Sequence, residues 1–123
     1  MARVTVEDDT DIVVHLAPWE KLAARRGDIR VPVTALREVH LEPDWWRALR
    51  GLRGRGLWIP DRIAVGIRVL PDGEDFAAIR VGHPVVCLEL RRTYRFARVS
   101  VHVADTEGTL RALEPYVPRD RLA

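Results

Sequence analysis

The sequence predicts a mainly β, α+β domain: an antiparallel barrel of about seven strands capped by a C-terminal α-helix, with a short extra helix near 18–26. Three observations carry this. Short apolar runs alternate at period two along the chain, most cleanly at Ile63, Val65, Ile67 and Val69. Turn formers stand between those runs and no long helical pattern interrupts them. At Arg98 to Val117 the period changes: Val99, Val101 and Val103 alternate with Arg98, Ser100 and His102, and then Leu110, Leu113 and Val117 fall on one helical stripe. Asp105 or Thr106 caps that helix by accepting from a first-turn amide, and Glu107 suits its positive end.

From the N-terminus, Val4 and Val6 alternate, Asp8, Asp9, Thr10 and Asp11 supply a turn, and Ile12 to Leu16 return, which reads as a hairpin. Pro18 opens a short helix that continues to Arg26 and is closed by Gly27, with Leu22, Ala23 and Trp19 facing inward. Ile29, Val31 and Val33 form a strand that Pro32 restricts to an edge or bulge, because proline has no amide to give the ladder. Leu36 to Glu42 is the next strand, with Val39 and Leu41 on one face. Trp45 to Pro60, with three glycines, four arginines and three tryptophans, has no regular period and reads as a long connection opening with one helical turn. Then come a strand over Ile63 to Val69, a turn at Pro71, Asp72 and Gly73, a return strand over Phe76 to Val81, a turn at Gly82, His83 and Pro84, and a strand over Val85 to Leu90. A turn rich in Arg91, Arg92 and Arg95 leads to the last strand, giving an antiparallel meander.

The 123 residues make a single domain, 1–123, with 47% hydrophobic and 31% charged residues, well inside the globular class. A net charge of +2 excludes a polycation that finds nucleic acid by bulk electrostatics. Lys21 is the only lysine, so nearly all positive charge is arginine. Cys87 is alone, which excludes an internal disulfide and a thiolate metal cluster. No window approaches the roughly 20 apolar residues of a membrane span, and MARVTVEDD reads as a strand rather than a signal peptide. A cytoplasmic, soluble protein without a cofactor is expected.

The order of elements is similar to that of the pleckstrin-homology-like barrel, and more narrowly to the bacterial pleckstrin-homology-like domains, including small actinobacterial members of unknown function. VPVTALREVHLE resembles the proline that leads into the third strand; VSVHVADTEGTLRAL resembles the last strand running into an aspartate-capped helix; LAPWEKLAARRGDIRVPVTAL resembles the linker of the small members. The resemblance spans essentially the whole chain and implies a non-catalytic partner-binding or assembly module. Phosphoinositide-binding members carry basic residues in the first loop, where this chain has the acidic Asp8 to Asp11; its nearest basic set is Lys21, Arg25 and Arg26. No phosphoinositide pocket carries over.

Among candidate sites, Ser100 and His102 lie two apart on one strand face, a serine beside a base, but with no orienting carboxylate in sequence they read as polar residues on a solvent face. His15, His40, His83 and His102 lack the spacings of a zinc site, and His15 reads as a hydrogen-bonded core or edge residue. Asp8, Asp9 and Asp11 lack the glycine and later glutamate of a calcium loop. Gly54 to Gly56 lacks the lysine and hydroxyl of a phosphate loop, and Cys87 reads as buried packing. The informative cluster is Trp45, Trp46, Arg47, Arg50, Arg53, Arg55 and Trp58, since tryptophan and arginine dominate interface hot spots. It predicts a protein partner or self-association, against a plainer role in which Trp45 and Trp58 cover the barrel's open end. An anionic lipid headgroup or nucleic acid held by Arg47 to Arg55 and Arg91 to Arg98 is the alternative, and a small enzyme with its site in the barrel mouth is a third.

Overall fold

The computed structural model describes residues 2–91 and 94–118. Strands β1 (Arg3–Glu7) and β2 (Asp11–His15) form the expected hairpin. Asp8 and Asp9 turn it with φ of 53° and 56°, a left-handed conformation that short polar side chains tolerate. Strand β3 (Ile29–Pro32) completes a three-stranded antiparallel sheet in the order β1-β2-β3. Pro32 therefore sits on an edge, where its missing amide costs nothing.

Between β2 and β3 lies helix α1 (Pro18–Ala24), and its buried face differs from the expected one. Glu20 and Ala24 are buried, whereas Leu22 is 81% exposed. The cause is the cap: Ala17 N–H donates to Glu20 Oε1 at 2.7 Å, so the carboxylate must turn inward to satisfy an otherwise orphaned amide. The helix also ends before Gly27. Arg25, with φ of 54°, makes the reversal.

The remaining strands, β4 (Leu36–Glu42), β5 (Leu52–Ile59), β6 (Ile63–Leu70), β7 (Gly73–Arg80), β8 (Val85–Leu90) and β9 (Arg98–Val101), build a six-stranded sheet in the order β4-β8-β9-β7-β6-β5. The antiparallel meander is corrected here. β9 inserts between β7 and β8 and runs parallel to β7, with Phe76 opposite Val99 and Ala78 opposite Val101. Because β7 and β8 are joined only by the four residues 81–84, the chain passes over the gap first and fills it on its return. Among the described residues, nine strands in two sheets thus stand in place of about seven in one barrel; one isolated parallel bridge, Ala2 to Val103, links the sheets, which do not close around. Arg92 of the expected arginine turn lies outside the described residues.

The small sheet packs Val4, Ile12, Val14, Ile29 and Val31 onto Val65, Phe76, Val86, Leu88, Val99 and Val101 of the large one. Helix α1 stands beside β5 and β6, and the C-terminal helix α2 (Thr106–Leu113) lies against β1, β4 and β8 at the other side. Asp105 caps α2 as expected, accepting from Gly108 N–H at 3.0 Å, and Leu113 is fully buried. The stripe continues through a 3-10 turn, Glu114–Tyr116, to the half-buried Val117. Among the described residues no helix is long and apolar enough to cross a membrane.

Candidate partner-binding site

The second face of the large sheet is not solvent-exposed at its centre, and this corrects two expectations. Ala64, Ala77, Ile79, Val85 and Cys87 form a second apolar cluster, covered by Ala48 with Trp45, Leu49 and Trp58. The stretch from Trp45 to Pro60 is therefore no open connection. It is a 3-10 turn, Trp45–Ala48, laid over small side chains, followed by the edge strand β5. Ser100, opposite both Ala77 and Cys87, lies under the same cover and is 1% exposed; its hydroxyl reaches Cys87 Sγ at 3.5 Å. Burial pushes the Cys87 thiol up, so no thiolate is poised there.

Glycine makes β5 possible. Gly51, at φ of 69°, would place a Cβ 2.2 Å from the Val69 carbonyl oxygen, so the backbones cross too closely for any side chain. The register then shifts between Arg53 and Gly56, a bulge where Gly56 faces Gly66.

The predicted cluster divides into residues used internally and residues presented outward. Arg50 belongs to the first group: its Nε and Nη2 donate to Asp75 at 2.7 and 2.8 Å, a two-pronged pair with a carboxylate 1% exposed. Asp75 holds the Arg50 guanidinium above its ordinary value. Trp58 is likewise occupied, with Nε1–H donating to the Gly54 carbonyl at 3.1 Å and the Arg68 guanidinium 5.2 Å above its ring. Arg68 in turn donates to the Arg50 and Gly51 carbonyls at 2.9 Å, tying the turn to β6. Trp45 is half-buried on the second cluster.

The outward group is Trp46, Arg47, Arg53 and Arg55. Trp46 stands edge-on to Trp45 at 5.8 Å and remains 55% exposed. Arg47 pairs loosely with Asp44 at 3.4 Å. Arg53 and Arg55 are exposed and make no ion pair among the described residues. Arg53 also borders a shallow hollow of about 110 Å³ walled by Trp45, Leu49, Trp58 and Arg68. The apolar rim of this region was not anticipated: Leu52, Leu57 and Ile59 of β5 and Val69 of β6 are exposed, Leu52 to 74%. Leu57-Trp58-Ile59 is a short apolar run that a strand would explain, but the three glycines mask a strand there.

The described members of the other arginine set each have a contact within the fold. Arg91 Nε donates to the Thr34 carbonyl at 2.8 Å, Arg98 lies 2.7 Å from Glu89, and Arg95 lies over Phe96. The four histidines stand apart in three places. His15 lies 2.8 Å from Thr5 Oγ1 and 3.4 Å from Asp28, as a bonded edge residue should; His40 meets Glu89 at 2.8 Å; His83 and His102 stack at 4.4 Å. His102, expected on a solvent face, is buried to 9% exposure, and burial together with His83 and Arg80 pulls its pKa down. Among the described residues no three His, Cys, Asp or Glu side chains gather to hold a metal. Asp8, Asp9 and Asp11 remain a turn: Asp11 pairs with Arg30, and the Tyr116 hydroxyl donates to Asp9. A concavity of about 620 Å³ between β4 and α2 joins His40, Glu38, Arg111 and Glu114 to Val39 and Leu110.

Comparison of the chain with family models, with curated proteins and with solved structures returns no match.

Proposed function

We propose that the chain is a non-catalytic binding module of the bacterial cytoplasm that engages a protein partner through Trp46, Arg47, Arg53 and Arg55. This is the role the pleckstrin-homology-like resemblance implies. The observation that carries it is the division of the cluster: three of its seven aromatic and guanidinium groups, Trp45, Arg50 and Trp58, are held in the fold, and that rigid base presents the other four to solvent. A tryptophan more than half exposed, presented with Arg47 and the two arginines Arg53 and Arg55 that make no ion pair among the described residues, is the composition of an interface centre. Self-association is the less favoured form, because the four presented residues include no carboxylate to answer the arginines.

A polyanion is the second reading, supported by the unpaired Arg53 and Arg55. Capture from the native host with wild type, Trp46→Ala and the double variant Arg53→Glu, Arg55→Glu tests the first. A protein retained by wild type and lost from both variants, at unchanged thermal stability, is expected; a captured set unaffected by either variant refutes it. Binding that collapses steeply with added salt and needs only a polyanion favours the second reading.

A further inference from the structure

We infer that the β5 edge receives an extended peptide as an added strand, and that this peptide alternates acidic and apolar residues. The inference rests on the partner-binding reading above and names the partner's chemistry. β5 ends the six-stranded sheet, so among the described residues no strand pairs with the backbone amides and carbonyls on its outer side. Its side chains divide by face. Arg53 lies opposite Arg68, whose guanidinium covers Trp58, so Arg53 belongs to the tryptophan face. Leu52, Leu57 and Ile59 lie opposite Val69, Val65 and Ile63, the face shared with the main core, but they project past the small sheet and stay exposed.

A strand added to β5 continues its pleat, and neighbours across a strand pair share a face. Its alternate side chains then meet Arg53 on one face and Leu52, Leu57 and Ile59 on the other. Carboxylates complement the first and branched aliphatics the second. A second copy of the chain fits less well: in antiparallel β5 edges in full overlap Arg53 faces Trp58 of the copy and Arg55 faces its Gly56, with no carboxylate on either strand to answer the guanidiniums. The guanidiniums that a second copy leaves unanswered thus select an acidic guest.

The probe is a capped octapeptide of alternating glutamate and valine, titrated into the full chain by fluorescence anisotropy, with amide shifts of β5 followed by NMR. Micromolar binding with shifts concentrated on β5 is expected, weakened by at least about tenfold in the Arg53→Glu, Arg55→Glu variant. Both arginines are exposed and unpaired, so that variant keeps its fold, checked by its melting temperature. An alternating lysine and valine peptide should bind the variant and not the wild type. Two backbone-methylated versions, one on every valine amide and one on every glutamate amide, separate strand addition from side-chain capture, because a strand bonds through one edge. At least one of them must lose about tenfold or more. Parent-like binding of both overturns the edge proposal; if that binding still depends on Trp46 and the arginines, the partner-binding reading stands without it. Absence of binding by any peptide also overturns the edge proposal, while the capture experiment decides the reading beneath. Tighter binding of an oligothymidine of equal length than of the glutamate peptide overturns both.

Discussion

Replacing Arg50 by alanine should destabilise the protein more than any other change in the candidate site. Asp75 is 1% exposed and its two oxygens accept from Arg50 at 2.7 and 2.8 Å. Removing one partner of a buried pair strands the other charge, a loss of about 3–5 kcal/mol when both are fully buried. Arg50 retains 37% of its side-chain exposure, so water reaches the guanidinium and discounts the figure to about 3 kcal/mol. In a domain of this size that lowers the melting temperature by roughly 10 °C. The assay is urea unfolding followed by tryptophan fluorescence, run on Arg50→Ala, Asp75→Ala and the double variant. The reasoning requires the double variant to lose clearly less than the sum of the singles, a coupling of at least about 1.5 kcal/mol. Additive losses, or a single-variant loss under about 1 kcal/mol, would refute it.

Trp46→Ala should leave stability within about 0.5 kcal/mol of wild type, as for other exposed positions, whereas Trp45→Ala uncovers the alanine-lined face and should cost about 2–3 kcal/mol in the same urea assay. Gly51→Ala should cost more than about 2 kcal/mol, since it strains a positive φ and meets the Val69 carbonyl; Gly73→Ala, with open space around it, serves as the mild control. His102 has a pKa lowered by burial and by His83, so the unfolded chain takes up its proton first as pH falls. The stability it contributes is present above about pH 6.5 and is lost as pH falls through the folded value. His102→Leu should flatten that part of the stability-pH profile, and an unchanged slope would rule out His102 as its source.

Local chemistry was readable where one short segment decides the outcome. The aspartate turn after Glu7, the Asp105 cap and the burial of Cys87 each follow from a few adjacent residues. Strand β5 was hidden because Gly51, Gly54 and Gly56, which read as loop residues, serve a close crossing and a bulge that exist only with β6 alongside. The phase of α1 was misread because a buried glutamate is uncommon, and only its bond to Ala17 shows why it faces inward. Ser100 looked solvent-facing because alternation reveals that a strand has two faces but not that a distant turn covers the second. Of the site, the residue types were legible; the separation of Arg50 and Trp58 from Trp46, Arg53 and Arg55 depended on Asp75 and Arg68, which lie far along the chain.

The insertion of β9 between β7 and β8 bears on how the protein is made. The centre of its larger sheet is supplied by β9, which follows the other five described strands of that sheet in the chain, and the same segment, through Val103, bridges back to Ala2. While the ribosome is still adding residues 98–103, β7 and β8 both lack their inner neighbour, and each presents an unpaired edge lined with core side chains. Contacts between the first and last parts of a chain form slowly, because the intervening loop must close first. Nascent chains halted before Arg98 are therefore the species most exposed to aggregation and to chaperone capture.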